Sequence, residues 1–248
     1  MKSIIFPLLH TSHKFTLSAK LLKIMMLTLL ILSTFHALAL AEGGQATVSA
    51  DTALARLKRG NQRFVKGKPQ VRHLISERKA LAEGQAPYAI ILCCSDSRVS
   101  PEIIFDESLG KLFVVRVAGN VADPVDLGSI EYAAQHLHAK LLLVVGHESC
   151  GAVKATLDGG NLPPNIEAIV EKISPAVAKA KNQHRDTKTT LNLAIEENVR
   201  QQMNNALQQS AVLQEMVEKK ELRITGGVYN LHTGKVEYLA NAMAIAHK

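Results

Sequence analysis

Three short runs of mainly apolar residues constrain the fold of this 248-residue chain more than any other feature of its sequence. The runs cover residues 88–93, 112–117 and 141–145. An almost continuous apolar run is typical of a strand that is buried on both faces, as in a parallel sheet. Residues 127–138 have helical character and separate the second run from the third. Strand and helix therefore alternate, which predicts an α/β fold with a mainly parallel β-sheet flanked by helices.

The segments on either side of these runs complete the predicted fold. Residues 47–65 carry apolar side chains at helical spacing, with Asp51 as the candidate N-cap, and residues 73–83 predict a second short helix. An N-terminal helical arm therefore precedes the sheet. Helices are also predicted within 166–181 and 191–220, and a closing strand pair is predicted at 222–230 and 236–239. No linker rich in Pro, Gly or Ser divides residues 42–248, which we interpret as one domain.

The first 41 residues have the layout of a secretory signal peptide. Lys20 and Lys23 precede an apolar run over 24–32, and an exit of the A-x-A type at 37–41 follows it. We expect cleavage after Ala41, with cleavage after Ala39 as the alternative. An uncleaved anchor is the weaker alternative, because the run is shorter than the roughly 20 residues that a spanning helix needs. The mature protein is expected to be periplasmic or secreted, with no membrane contact after cleavage.

The charge distribution argues against a nucleic acid partner. The formal net charge is +7, but four of the 29 Lys and Arg residues lie within residues 1–41. The remaining 25 basic residues are nearly balanced by 22 acidic residues, which leaves a net charge of +3 over the whole domain. The domain contains no run of Lys or Arg. So weak a field does not indicate a nucleic acid surface.

Metal-ligand residue types follow two of the predicted strands. Cys94 follows the first run, and His147 and Cys150 follow the third. The carboxyl ends of parallel strands form one crevice, so these three side chains can surround one ion. Two thiolates and an imidazole suit Zn²⁺, and three protein ligands with an open fourth position are typical of catalytic zinc. Adjacent strand residues point to opposite faces, so Cys93 is expected to pack in the core while Cys94 faces the crevice.

These residues carry a resemblance to a known family. The segment Cys94-Ser95-Asp96-Ser97-Arg98, followed by Gly146-His147-x-x-Cys150-Gly151, resembles the β-class carbonic anhydrases, in their plant-type branch. Residues 53–64 and 224–236 extend the match. The resemblance implies a lyase that hydrates CO₂ reversibly to bicarbonate and a proton in carbon utilization. It also implies one Zn²⁺ per chain, held by Cys94, His147 and Cys150, and a homodimer or higher homo-oligomer.

The same resemblance gives Asp96 and Arg98 a catalytic role. A carboxylate two residues from Cys94 can itself occupy the fourth zinc position, and Arg98 can draw it away in a bidentate ion pair. Water then takes the position, and Asp96 orients the resulting zinc-bound hydroxide for attack on CO₂. The plain alternative is a surface ion pair of little energetic value.

Gln85, Phe113, Tyr132 and Gly151 match the substrate pocket of the plant-type branch. Taken alone, the first three are explained as a loop residue, a strand core residue and a helix face residue. Gly151 is expected to let the turn approach the metal closely. One departure is Arg116-Val117-Ala118-Gly119-Asn120, where many members carry R-N-V-A-N.

Two alternative functions remain open at this point. One is a hydrolase of CS₂ or COS on the same zinc site, since those substrates are linear like CO₂. The other is a non-catalytic zinc-binding domain. The presence of Asp96, Arg98 and Gln85 argues against the second alternative, because a structural zinc site needs none of them.

Overall fold

Five strands form one sheet in the computed structural model, which describes residues 48–183 and 186–240. The strands are β1 (Ala89–Cys93), β2 (Leu112–Arg116), β3 (Leu141–His147), β4 (Arg223–Tyr229) and β5 (Val236–Tyr238). Their order across the sheet is β2-β1-β3-β4-β5, with parallel pairing up to β4 and an antiparallel β5. The predicted mainly parallel sheet is confirmed. The expected signal peptide at 1–41 lies outside the described residues.

Helices cover both faces of this sheet in the described part of the chain. They are α1 (Ala50–Val65), α2 (Leu74–Ala80), α3 (Pro101–Ile104), α4 (Pro124–Gln135), α5 (Gly151–Asp158), α6 (Pro164–Lys181), α7 (Thr187–Gln209) and α8 (Ala211–Glu218). Within the described ranges no helix is both long and apolar enough to cross a membrane.

The alternation of side chains along β1 divides the core between the two faces of the sheet. Ile90 and Leu92 pack on the face covered by α4 and α7, whereas Ile91 and Cys93 pack on the face covered by α1. All four side chains are fully buried. Because β1 is buried on both faces, its sequence is apolar throughout rather than alternating. The same alternation decides which cysteine can reach the end of the strand.

The start of α1 differs from the sequence-based expectation. The helix begins at Ala50, and its N-cap is Ser49, whose hydroxyl accepts the backbone N–H of Thr52 at 3.2 Å. Asp51 therefore lies in the first turn, where its negative charge interacts favourably with the positive end of the helix dipole. The prediction of Asp51 as the N-cap is wrong. Serine and aspartate are nearly equal as caps, so their order in the sequence could not separate them.

A buried carboxylate connects α1 to the segments that precede the sheet. Asp106 accepts hydrogen bonds from Arg63 at 2.5 Å, from Arg72 at 2.7 Å and from the backbone N–H of Gln70. Burial by itself raises the pKa of Asp106, but these hydrogen bonds outweigh it and hold that pKa below its usual value. The ionised carboxylate therefore anchors the end of α1 and the chain that follows it.

Candidate metal centre

The carboxyl ends of β1 and β3 bring three metal-ligand side chains together. Cys94 directly follows β1, His147 is the last residue of β3, and Cys150 is the N-cap residue of α5. Their ligand atoms all lie within 4.8 Å of one another, and all three residues are buried. Because β1 and β3 are adjacent parallel strands, the sheet itself creates this cluster.

The state of His147 fits metal binding. Its Nδ1 lies 2.9 Å from the backbone carbonyl oxygen of Glu148, to which it can donate a hydrogen bond. Its Nε2 is buried and has no hydrogen-bond partner. A buried polar atom without a partner is costly, and a metal ion satisfies it. A carbonyl acceptor on the far ring nitrogen is also the usual way in which a ligating histidine is oriented.

The two thiols fit a dication for an electrostatic reason. The neighbouring Cys150 thiol above all, and also the His147 ring and the Gly119 N–H, favour the charged form of Cys94 and hold its pKa well below its usual value, although burial opposes them. The hydrogen bond to that thiolate, reinforced by burial, raises the pKa of Cys150. Two adjacent buried thiolates repel each other unless a cation lies between them. The Cys-His-Cys donor set therefore fits Zn²⁺.

Cys93 is adjacent to Cys94 in sequence but is not part of this cluster. Its side chain packs in the core beneath α1, and burial raises the pKa of its thiol to about 12. Such a thiol is an inert apolar group rather than a metal ligand. Cys93 and Cys94 therefore point to opposite sides of the strand, as the alternation of side chains along a strand predicts.

Asp96 and Arg98 lie beside the three ligand residues. The Arg98 guanidinium donates to Asp96 Oδ1 at 2.9 Å and to Oδ2 at 2.7 Å, and the Arg98 backbone N–H also donates to Oδ1. Asp96 Oδ2 is 3.8 Å from His147 Nε2. The hydrogen bond from the Arg98 side chain holds the pKa of Asp96 well below its ordinary value. Arg116 fixes the turn by donating to the Asp96 carbonyl oxygen at 2.8 Å.

The three other predicted pocket residues do not lie at the cluster of their own chain. Gln85 is exposed in the loop before β1, so the five residues of β1, roughly 13 Å of strand, separate that loop from Cys94. Phe113 pairs with Ile90 near the amino end of β1. Tyr132, on α4, is 48% exposed, and its ring centroid is 6.3 Å from that of Phe113. Within one chain, these residues line a different part of the surface.

Gly151 has no protein neighbour that would exclude a side chain. It is the first residue of α5, and an added Cβ would meet no protein atom within 4 Å. Packing against the protein therefore does not require glycine at this position, and the expected close approach of the turn to the metal stays a prediction. Packing near the cluster is tighter at Gly119, whose added Cβ would lie 2.5 Å from Ile173 Cδ1.

Fold and site together define an α/β protein with a buried zinc site of the catalytic type. Comparison with known proteins narrows this class. The family described as carbonic anhydrase matches residues 89–236. Carbonic anhydrase 2 of Mycobacterium tuberculosis is 41% identical over 184 residues, which covers 72% of this chain and 87% of that protein. The carbonic anhydrase of Mycolicibacterium smegmatis is 40% identical over 190 residues, with 73% and 89% covered.

Solved structures give the same result. The Coccomyxa β-carbonic anhydrase in complex with acetazolamide is 28% identical, with a TM-score of 0.60 over 75% of this chain and 86% of that one. A β-carbonic anhydrase of Aspergillus fumigatus is also 28% identical, with a TM-score of 0.60 over 79% and 92%. This chain belongs to the carbonic anhydrase family, in its β class. The resemblance, the enzyme class and zinc as the cofactor are thereby confirmed, whereas the plant-type branch stays a prediction.

Proposed function

We propose that this chain interconverts CO₂ and bicarbonate at one zinc ion held by Cys94, His147 and Cys150, with Asp96 and Arg98 controlling the fourth zinc position. The observation that carries the proposal is the place of the Asp96 carboxylate, which lies next to three buried ligand atoms. Zinc, when bound, makes a water molecule acidic enough to be a nucleophile near neutral pH.

The proposed role of Asp96 in the reaction follows from its two acceptor oxygens. Its Oδ2 lies 3.8 Å from His147 Nε2, the ring atom that faces the metal position. A carboxylate has only acceptor oxygens, so it can take the hydrogen bond of the reacting water and point the lone pair of that water toward CO₂. A fixed acceptor at the reacting atom also removes the need to reorganise solvent during the reaction.

The proposed role of Arg98 is to hold the Asp96 carboxylate in this position. Its two side-chain hydrogen bonds bind both oxygens of Asp96 in the fork geometry that guanidinium and carboxylate share. A carboxylate so close to the metal position would otherwise compete with water for that position. Arg98 therefore selects between a blocked and an open site. A purely structural zinc site would not need the Asp96–Arg98 pair, so the presence of the pair favours an enzyme over a non-catalytic zinc-binding domain.

We further propose that the substrate pocket is completed in a homodimer. β2 is one of the two edge strands of the sheet, and its outer side has no partner strand among the described residues. Beside it, Tyr132 is 48% exposed and Val125 on α4 is 83% exposed. An unpaired edge with exposed apolar side chains favours association. Since Gln85, Phe113 and Tyr132 are remote from the cluster of their own chain, the proposal assigns them to the metal centre of the partner subunit.

Export is proposed on the sequence alone. The basic, apolar and small-residue segments of residues 1–41 support a cleaved signal peptide and a periplasmic or secreted domain over 42–248. N-terminal sequencing of the protein from its own cells tests this. A first residue near Glu42 is expected, and a retained leader in the membrane fraction contradicts the proposal.

Stopped-flow measurement of CO₂ hydration by the purified, zinc-loaded protein tests the proposed reaction. We expect turnover that is abolished by removing zinc with a chelator and restored by adding it back. A parallel assay with COS and CS₂ tests the competing hydrolase function on the same site. Absence of CO₂ hydration in protein with one zinc per chain would refute the proposed function, whatever the result with the sulfur substrates.

A further inference from the structure

A backbone hydrogen bond reaches one of the candidate zinc thiolates. The N–H of Gly119 donates to Cys94 Sγ at 3.3 Å in a buried setting. An N–H donor withdraws electron density from a thiolate, so the sulfur donates less charge to a bound metal. Groups that touch a ligand rather than the metal tune the site in this way. The position of the Gly119 peptide is therefore a property of the metal centre.

The conformation of Gly119 depends on its surroundings. Its φ is +71°, a region that residues with a side chain rarely adopt, and there is no room for a Cβ beside Ile173. A glycine is also the residue with the most conformational freedom to lose. Something must hold this peptide if its N–H is to remain on the sulfur.

Asn198 supplies that support from α7. Its side-chain Nδ2 donates to the Gly119 carbonyl oxygen at 2.8 Å, and the residue is fully buried. Its Oδ1 accepts from Gln202 Nε2 at 3.0 Å, which fixes the orientation of the amide. Gln202 Oε1 in turn accepts the backbone N–H of Ala122 at 3.0 Å. Two buried amides on one helix thus bind both ends of the segment 119–122.

We propose that Asn198 is a positioning residue of the metal centre: it holds Gly119 so that the Gly119 N–H stays on Cys94 Sγ. The inference rests on the proposed ligation of zinc by Cys94. It adds a residue on α7, more than one hundred positions from Cys94 by their residue numbers, to the groups that determine how strongly the thiolate binds and polarises the metal. Asn198 itself touches neither the metal position nor the substrate.

Substitution of the metal by Co²⁺ makes the proposal measurable without an activity assay. Cobalt thiolate sites absorb through charge transfer from sulfur to the metal. A thiolate that loses a hydrogen bond releases its electrons more easily, so this band moves to longer wavelength. We expect the shift in Asn198→Ala relative to the wild type. Asn205→Ala is the matched control, because Asn205 is an amide on the same helix that donates to Gln202 and not to Gly119.

The outcomes separate this inference from the proposed function. A shift in Asn198→Ala with an unchanged band in Asn205→Ala supports the positioning role. An unchanged band in both variants, or equal shifts in both, overturns it while leaving the zinc site intact. If the wild type shows no sulfur-to-cobalt band at all, the proposed ligation by Cys94 has failed, and this inference fails with it.

A measurement on the wild type covers the case in which Asn198→Ala does not fold. Protein loaded with a cadmium isotope of nuclear spin one half shows scalar coupling between the metal and any amide proton that is hydrogen-bonded to a metal thiolate. We expect such coupling at the Gly119 amide proton. If ligand couplings from Cys94 are seen but none from Gly119, the hydrogen bond on which the inference depends does not exist.

Discussion

Arg98 binds both carboxylate oxygens of Asp96, with its Nε 2.9 Å from Oδ1 and one terminal nitrogen 2.7 Å from Oδ2. The Arg98 backbone N–H adds a third hydrogen bond, at 2.9 Å. Arg98 is half exposed, so this ion pair by itself contributes little to folding stability. The ion pair matters because it fixes the position of the Asp96 carboxylate. That carboxylate lies near His147 Nε2, but the guanidinium holds it away from the metal position.

Replacing Arg98 should therefore affect activity more than stability or zinc content. We expect Arg98→Ala to keep one zinc per chain and to lose roughly 10–100-fold in CO₂ hydration, the usual effect of removing a partner of a metal-site group. Arg98→Lys keeps the positive charge but loses the two-nitrogen fork, so its CO₂ hydration activity should lie between that of the wild type and that of Arg98→Ala. Stopped-flow assays with metal analysis measure both quantities.

The control for this prediction is Arg59→Ala, which removes an exposed arginine on α1. It should leave CO₂ hydration unchanged. Near-normal turnover in zinc-loaded Arg98→Ala would show that the Asp96–Arg98 pair is only a structural contact.

The three cysteines should differ in their effect on zinc content. Cys94→Ala and Cys150→Ala each remove a ligand atom of the cluster, so stoichiometric zinc should be lost. Cys93→Ala removes a sulfur from the core on the opposite face of β1 and should keep one zinc per chain, with a modest loss of stability from the cavity. Metal analysis of the purified variants gives the answer, and zinc loss in Cys93→Ala with retention in Cys94→Ala would reverse the assignment.

How far the sequence could predict this site depends on the range of each interaction. The apolar runs predicted the strands because burial on both faces restricts side-chain type, and strand alternation then separated Cys93 from Cys94. The N-cap of α1 was misassigned because Ser49 and Asp51 offer similar acceptors two residues apart. The contact between Asn198 and Gly119 joins residues that are 79 positions apart, and no local pattern encodes which carbonyl a buried amide will meet.

Gln85 illustrates a different limit. Its spacing from Cys94 matched a pocket residue, yet β1 places the two at opposite ends of a strand. Spacing along the chain does not tell which subunit a residue serves. The three-dimensional structure shows that Gln85 is remote from the metal cluster of its own chain, and this distance is the reason for proposing that it serves the partner subunit.

Mixing two variants of reduced activity tests this assignment. Gln85→Ala should impair the site of the partner subunit, whereas Arg98→Ala impairs the site of its own chain. A heterodimer of the two then contains one intact site, so activity should rise when the variants are mixed, exchanged by mild denaturation and refolded. The single variants treated identically are the controls. If both residues served one chain, no site in the heterodimer would be intact, and the mixture would show no gain.

The charge of Asp106 should make the stability of the fold depend on pH in the acid range. Because the folded state holds the pKa of this carboxyl below its unfolded value, the charged form stabilises the fold. That contribution is fully present above the unfolded pKa of about 3.9 and disappears as the pH falls through the folded pKa. Asp106→Asn should lower the free energy of unfolding by about 1–3 kcal/mol near neutral pH, since Arg63 and Arg72 lose their charged acceptor.

The difference between Asp106→Asn and the wild type should shrink as the pH falls below about 4, because the wild-type carboxyl then also loses its charge. Urea unfolding of both zinc-loaded proteins at neutral and acidic pH measures this difference, and acid release of zinc affects both alike. Asp158→Asn, which removes an exposed partner of Lys154, is the control and should change stability by less than about 1 kcal/mol. A constant difference between Asp106→Asn and the wild type at every pH would show that the cost comes from packing rather than from the charge of Asp106.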